Sequence, residues 1–171
     1  MIKKLLILLA VPVLFASQGC GNATKDESVQ IPGMEEVDLN QFGLALAIQA
    51  PDGSKGKLEV TNPLSGGTEI RVGKDFQISI KLEDGDIAMR KSDIAGDDVN
   101  KFKRYVIDEP TTIMWESQIT DPEFHFYTIV KVGKDTYVIE DIKEEHFSET
   151  SAKAMLESAK ALKEKAPAAT P

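Results

Sequence analysis

The chain has 171 residues, of which 42% are apolar and 28% charged, and this composition is typical of a folded domain and too apolar for a disordered chain. It carries 20 basic and 28 acidic residues, for a formal net charge of -8. A surface of that sign repels phosphate groups, which argues against nucleic acid as a partner. The single cysteine excludes an internal disulfide and a zinc site built from several cysteines.

The first nineteen residues have the pattern of a signal peptide. Lys3 and Lys4 precede an uncharged apolar segment at 5–16, which is shorter than the roughly 20 residues of a transmembrane helix. We expect cleavage after Gly19, so that 1–19 is removed. Loss of Lys3 and Lys4 leaves 18 basic residues against 28 acidic ones, a formal charge of -10 for the mature chain.

The sequence Ser17-Gln18-Gly19-Cys20 resembles the lipobox of bacterial lipoproteins. Gly19 and Cys20 match that pattern, whereas Ser17 and Gln18 stand where the family usually has Leu and then Ala or Ser. The resemblance implies a lipid on Cys20 and hence attachment to a membrane. If the cell is Gram-negative, Gly21, in place of the aspartate associated with inner-membrane retention, implies the outer membrane, facing the periplasm or the surface. Ordinary secretion and an uncleaved anchor are the two alternatives.

Composition divides the rest of the chain into three parts. Residues 20–41 are polar and acidic, and they predict a lipidated N-terminus followed by a flexible tether. Residues 42–165 carry the apolar periodicity of a single domain. The Ala, Pro and Thr residues of 166–171 predict a disordered tail.

Alternating apolar residues predict two hairpins, each with a Val-Gly-Lys-Asp turn, at 72–75 and 132–135. We interpret the repeated tetrapeptide as similar turn chemistry, with an ancient duplication as the alternative. Further strands are predicted near 44–48, 57–60 and 112–117.

Two helices complete the prediction. A short surface helix is expected at 89–99, and 150–165 carries an apolar face typical of an amphipathic helix. The fold class is therefore α+β, with a mostly antiparallel sheet of six or seven strands, a short middle helix and a C-terminal helix packed on the sheet. The order of these elements over about 43–165 resembles PsbP-like domains. That resemblance implies an assembly or accessory role and no functional residue.

Known catalytic motifs are missing from the sequence, so we expect a protein that is not an enzyme, without cofactor or metal. A histidine beside carboxylates, His125 or His146, is the open possibility for acid–base chemistry or a metal. The acidic segments at 83–86 and 93–98 are candidate calcium loops, although their spacing is more typical of turns and helix starts.

Trp115, Tyr127 and His125 are the candidate binding surface, because aromatic side chains dominate contact energies. For Trp115 the default expectation is a core position. We expect a lipid-anchored envelope protein acting as a binding or assembly-accessory module, with a possible envelope protein partner. The alternatives are a hydrolase or lyase using dispersed Asp, Glu and His groups, and a structural or stress-related surface lipoprotein.

Overall fold

The computed structural model describes residues 30–64, 66–142 and 145–166, which form ten strands and two α-helices. The strands are β1 Met34–Asp38, β2 Leu46–Pro51, β3 Leu58–Thr61, β4 Thr68–Val72, β5 Phe76–Leu82, β6 Lys101–Glu109, β7 Thr112–Gln118, β8 Pro122–Val132, β9 Asp135–Asp141 and β10 Lys163–Glu164. The helices are α1 Ile87–Gly96 and α2 Glu149–Lys160, and a short 3-10 helix spans Asn40–Phe42.

The strands form two antiparallel sheets. The larger has seven strands in the order β3-β4-β5-β9-β8-β7-β6, and the smaller has three in the order β1-β2-β10. A mostly antiparallel α+β fold with two helices is therefore confirmed. The sequence predicts one sheet of six or seven strands, and the separate three-stranded sheet differs from that prediction.

Helix α2 lies between the two sheets and packs against β8, β5 and β2. It begins at Ser148, whose hydroxyl accepts the Ser151 N–H at 3.1 Å. Its apolar face joins the main core, whose fully buried large side chains include Leu39, Leu46, Ile48, Ile70, Ile78, Ile80, Met114, Phe126, Ile139 and Met155. Each such side chain contributes about 1.5–3 kcal/mol through its removal from water.

The folded domain begins earlier than predicted. Strand β1 and the first two residues of the 3-10 helix lie within 20–41, the predicted tether, and β1 pairs with β2 from Met34↔Pro51 to Asp38↔Ala47. In β1 the buried Val37 stands between Glu36 and Asp38, so the sequence of this strand shows little apolar alternation. Residues 20–29, the signal peptide at 1–19 and the tail at 167–171 lie outside the described residues.

The two Val-Gly-Lys-Asp segments do join strands, as predicted, at β4–β5 and β8–β9. Gly73 and Gly133 have φ values of 59° and 61°, a left-handed conformation that favours glycine. The closing pairs differ, since Val72 pairs with Phe76 and Val132 with Asp135. The shared tetrapeptide therefore serves two turns of different length, which supports similar turn chemistry rather than duplication.

The C-terminal helix is shorter than predicted. Helix α2 ends at Lys160, and the chain then extends so that Lys163 and Glu164 pair with β2. Leu162 turns into the core and the Lys165 N–H donates to the Ala45 carbonyl. The contacts of this segment with β2 outweigh the helical periodicity of its sequence.

The opposite face of the large sheet holds a second, smaller core beneath α1. Its buried side chains are Ile94, Ile113, Trp115, Tyr127 and Val138. The short middle helix is present as predicted, but α1 spans Ile87–Gly96 rather than 89–99. In the described part of the chain, neither helix is long and apolar enough to cross a membrane.

Candidate functional site

A cleft of about 220 Å³ lies between α1 and the large sheet. Helix α1 contributes Arg90, Asp93 and Ile94 to its wall, and the segment after the helix contributes Asp97 and Asn100. Its sheet side is lined by Trp115, His125 and Asp141.

Capping interactions define both ends of α1. The Asp86 side chain accepts the Met89 N–H at 3.0 Å at the start of the helix. After the helix, one Asp97 oxygen accepts the N–H groups of Val99 and Asn100, each at 2.8 Å. These hydrogen bonds, the Asn100 N–H first among them, hold the pKa of Asp97 below its ordinary value, so the side chain stays charged.

The sheet side of the cleft is formed by cross-strand pairs of β7 and β8. Trp115 lies opposite His125, and Ile113 lies opposite Tyr127. The structure therefore brings Trp115, Tyr127 and His125 together on one face, as residues of matching register. Their exposed fractions are only 6%, 8% and 8%, so Trp115 is a core residue that also lines the cleft.

Arg90 is a site residue that the sequence analysis missed. Its guanidinium lies 5.4 Å from the Trp115 ring and 5.3 Å from the Tyr127 ring, within cation–π range. Its Nη2 donates to Glu140 at 2.6 Å, and Lys81 donates to the other Glu140 oxygen at 2.9 Å. No sequence signal links a helix arginine to a strand 50 residues away.

Two residues that lie beside Arg90, Tyr127 and Lys81, have raised pKa values. Burial raises the pKa of Tyr127 above its ordinary value of 10, so its hydroxyl is protonated at neutral pH. The hydrogen bond to Glu140 raises the pKa of Lys81. Arg90 Nε is buried and has no hydrogen-bond partner among the described residues.

A buried carboxylate orients His125. Asp141 Oδ2 lies 2.7 Å from His125 Nδ1, and Asp141 Oδ1 accepts the Phe126 N–H, also at 2.7 Å. Because a carboxylate only accepts, Nδ1 is the donor of this hydrogen bond, and Nε2 has no hydrogen-bond partner among the described residues. The nearest acidic atom to Nε2 is Glu123 Oε2 at 3.8 Å, beyond hydrogen-bond distance.

The second histidine extends this polar row to the surface. His146 is largely exposed, and its Nδ1 lies 2.6 Å from Glu123 Oε1. Among the described residues, His146 therefore pairs with Glu123 on β8, which is distant from it in the sequence. Asp141, His125, Glu123 and His146 form one row of titratable groups, interrupted by the 3.8 Å gap at Nε2.

The acidic segments show turn and capping chemistry. Asp86 caps α1, Asp97 caps the turn that follows, and Asp98 pairs with Lys101 at 2.9 Å. In the described ranges, no group of three or more His, Cys, Asp or Glu side chains is placed to hold a metal ion.

A second groove of about 460 Å³ lies at the start of α2, between Met34, Phe76 and Ala154. Its wall is more apolar than that of the cleft. None of the candidate residues from the sequence lies in it.

Gly19 and Cys20, the predicted cleavage and lipidation residues, lie outside the described residues. Comparison of the chain with protein-family models, curated proteins and solved structures gives no match. The lipobox and PsbP-like resemblances therefore rest on the sequence alone.

Proposed function

We propose that this protein is a lipid-anchored binding module of the bacterial cell envelope, and that its ligand occupies the cleft between α1 and the large sheet. The observation that carries the proposal is the convergence of Arg90, Trp115 and His125 on one cleft, where no described residue forms a hydrogen bond with His125 Nε2. The cleft also holds Arg90 Nε, a buried donor without a hydrogen-bond partner among the described residues, which a bound ligand could satisfy.

The proposed location rests on the N-terminal sequence. Lys3 and Lys4, the apolar segment 5–16 and the lone Cys20 after Gly19 support lipid attachment, with the outer membrane as the site. In this proposal the membrane is a partner through the Cys20 lipid, and an envelope protein is a further partner if the module serves assembly.

The size of the cleft limits its occupant. A volume of about 220 Å³ is below the roughly 300–1,000 Å³ of typical drug-sized pockets, so the ligand is a compact molecule. The aromatic wall of Trp115 supplies contact area, and the polar groups on the rim supply orientation.

The only tryptophan of the chain reports on this site directly. A small-molecule extract of the native envelope is titrated into the full chain while Trp115 emission is recorded. We expect a saturable change that His125→Gln abolishes and that the matched variant His146→Gln retains. Equal responses of both variants, or no saturable response of the wild type, would contradict the proposal.

A second candidate function, a hydrolase, is favoured by the Asp141–His125 pair. In a histidine general base, a carboxylate is hydrogen-bonded to Nδ1 and Nε2 is free to face the substrate, and His125 with Asp141 has this arrangement. Ser117 is buried on β7 opposite Glu123, but its hydroxyl has no hydrogen-bond partner among the described residues, so it is not activated by His125. Turnover of ester, amide or phosphoester substrates that His125→Gln abolishes would favour the enzyme over the binding module.

A further inference from the structure

Arg90 brings an unpartnered hydrogen-bond donor to the wall of the cleft. Its side chain is 13% exposed, and its guanidinium lies within cation–π range of Trp115 and Tyr127. A guanidinium carries several N–H donors in a fixed planar arrangement. Among the described residues, only its Nη2 donates, to Glu140, and the buried Nε has no acceptor. A buried donor without an acceptor costs free energy, and a ligand oxygen that reaches Nε removes that cost.

Charges of both signs surround this space. Glu140 is shared between Arg90 and Lys81, at 2.6 and 2.9 Å, so the three side chains together retain one positive charge. Asp93 and Asp97 line the same cleft with carboxylates. A cationic ligand would be repelled by the guanidinium, and an anionic ligand would be repelled by the two aspartates. A neutral ligand avoids both repulsive contributions.

The other polar groups of the lining differ in what they still offer. Asp97 already accepts from the backbone N–H and the side-chain amide of Asn100. Asp93 is exposed and has no hydrogen bond or ion pair within the described residues, so it can accept from a ligand. His125 Nε2 suits a hydroxyl group whether it donates or accepts, because a hydroxyl does both. Arg90 and Asp93 are three residues apart on α1, so the donor and the acceptor project from one face of the helix.

We propose that the cleft binds a single neutral sugar ring, an inference that rests on the proposed binding function of the same cleft. Neighbouring hydroxyl groups of one ring accept from Arg90 and donate to Asp93 without bringing a charge. The C–H face of the ring lies against the apolar part of the wall, which Ile94 and Trp115 form. A volume of about 220 Å³ suits one ring rather than a chain of several.

Rings of similar size and different charge separate the ligand classes. Glucose, galactose and mannose are each compared with their own amino sugar, which is cationic, and their own uronic acid, which is anionic. Each probe is titrated into the full chain while the indole N–H resonance of Trp115 is recorded. We expect saturable binding of at least one neutral hexose in the roughly millimolar range, and binding of its charged derivatives at least about fivefold weaker.

Three results of these titrations would overturn the inference. The first is no saturable binding of any neutral hexose, and the second is a charged derivative that binds within fivefold of its neutral parent. The third is binding of cyclohexanol as tightly as the hexose, because its single hydroxyl group does not serve both Arg90 and Asp93. The methyl glycoside of the bound hexose distinguishes two sources within the supported class: retained binding indicates the end of a glycan chain, and lost binding indicates the free sugar.

Variants test the two named contacts. Arg90→Lys keeps a cation beside Glu140 but removes Nε, and it is expected to weaken hexose binding about fivefold. The matched variant Arg104→Lys alters an arginine that pairs with Glu116 outside the cleft lining, and it should leave binding unchanged. Asp93→Ala changes an exposed residue, so the fold is retained, and it should also weaken binding about fivefold. Wild-type affinity of either Arg90→Lys or Asp93→Ala would contradict the inference.

The envelope extract separates this inference from the binding function on which it rests. If the extract changes Trp115 emission but no neutral hexose binds, the sugar class is wrong and the binding function stands. Absence of a response to both refutes the two together.

Discussion

The indole of Trp115 and the imidazole of His125 lie directly opposite each other on β7 and β8, with ring centroids 5.3 Å apart and planes tilted by 31°. The Asp141 carboxylate holds the far side of the imidazole, and the Arg90 guanidinium covers the indole. A ligand that contacts His125 is therefore expected to change the fluorescence of Trp115, the only tryptophan in the chain.

Asp141→Asn is expected to destabilise the domain by about 1–3 kcal/mol. The carboxylate is 3% exposed and accepts from both His125 and the Phe126 N–H, and an amide leaves one of these buried donors poorly paired. Urea unfolding followed by circular dichroism measures the change. The exposed control Asp84→Asn should stay within about 0.5 kcal/mol of wild type. Equal midpoints for the two variants would show that Asp141 does not support the site.

Gly85→Ala is expected to cost about 1–3 kcal/mol, because the added methyl group meets three side chains at once. A Cβ at this position lies 2.7 Å from atoms of Ile129, Tyr127 and Val138. The matched control is Gly96→Ala at the end of α1, where nothing lies within 4 Å, and it should be neutral or stabilising by up to about 1 kcal/mol. Thermal unfolding of both variants checks the prediction, and a neutral Gly85→Ala would mean that α1 shifts freely on the sheet.

The stability of the C-terminal segment should depend on pH through Glu36. A hydrogen bond from Lys163, and to a smaller extent one from Lys165, lowers the pKa of Glu36 below its ordinary value of 4.5. A lowered folded-state pKa stabilises the protein above pH 4.5, and the contribution is lost as the pH falls below that value. The group is about one third exposed, so the effect is under about 1 kcal/mol. Glu36→Gln should therefore lower the unfolding free energy at pH 7, and this loss should shrink as the pH falls from 4.5 through the lowered pKa; a loss that does not change with pH would exclude the charge as its cause.

Cys20→Ala is expected to abolish labelling by a palmitate analogue in cells and to release the protein from the membrane fraction. The thiol of Cys20 is the only one in the chain, so no other cysteine can take the lipid. Ser17→Ala is a matched control that leaves the cysteine in place and should be labelled like wild type. Labelling of Cys20→Ala at the wild-type level would refute the lipoprotein prediction.

Local patterns predict the parts of this fold that depend on local chemistry. The hairpins β4–β5 and β8–β9 follow from alternation and from the Gly-Lys-Asp turns. The sequence of β6 predicts a strand less clearly, because two register shifts, near Lys103 and Val106, break the two-residue alternation of its side chains. Strands β1 and β10 are short or acidic, and only their pairing with β2 defines them.

The sequence predicts part of the candidate site. The side-chain types of Trp115, Tyr127 and His125 indicate a binding surface, and the register of β7 and β8 places the three residues on one face. Arg90 and Asp141 complete the cleft through contacts across the chain, 50 residues from Arg90 to Glu140 and 16 from His125 to Asp141. Their roles depend on tertiary packing, which a single sequence does not encode in any short pattern.

The most direct test of the account is the indole N–H resonance of Trp115 in the labelled full chain, recorded with and without envelope extract. The account predicts a saturable shift of this resonance, together with backbone shifts around Arg90 and His125, all lost in His125→Gln. Shifts confined to the groove at the start of α2, with Trp115 unmoved, would contradict the assignment of the cleft as the binding site.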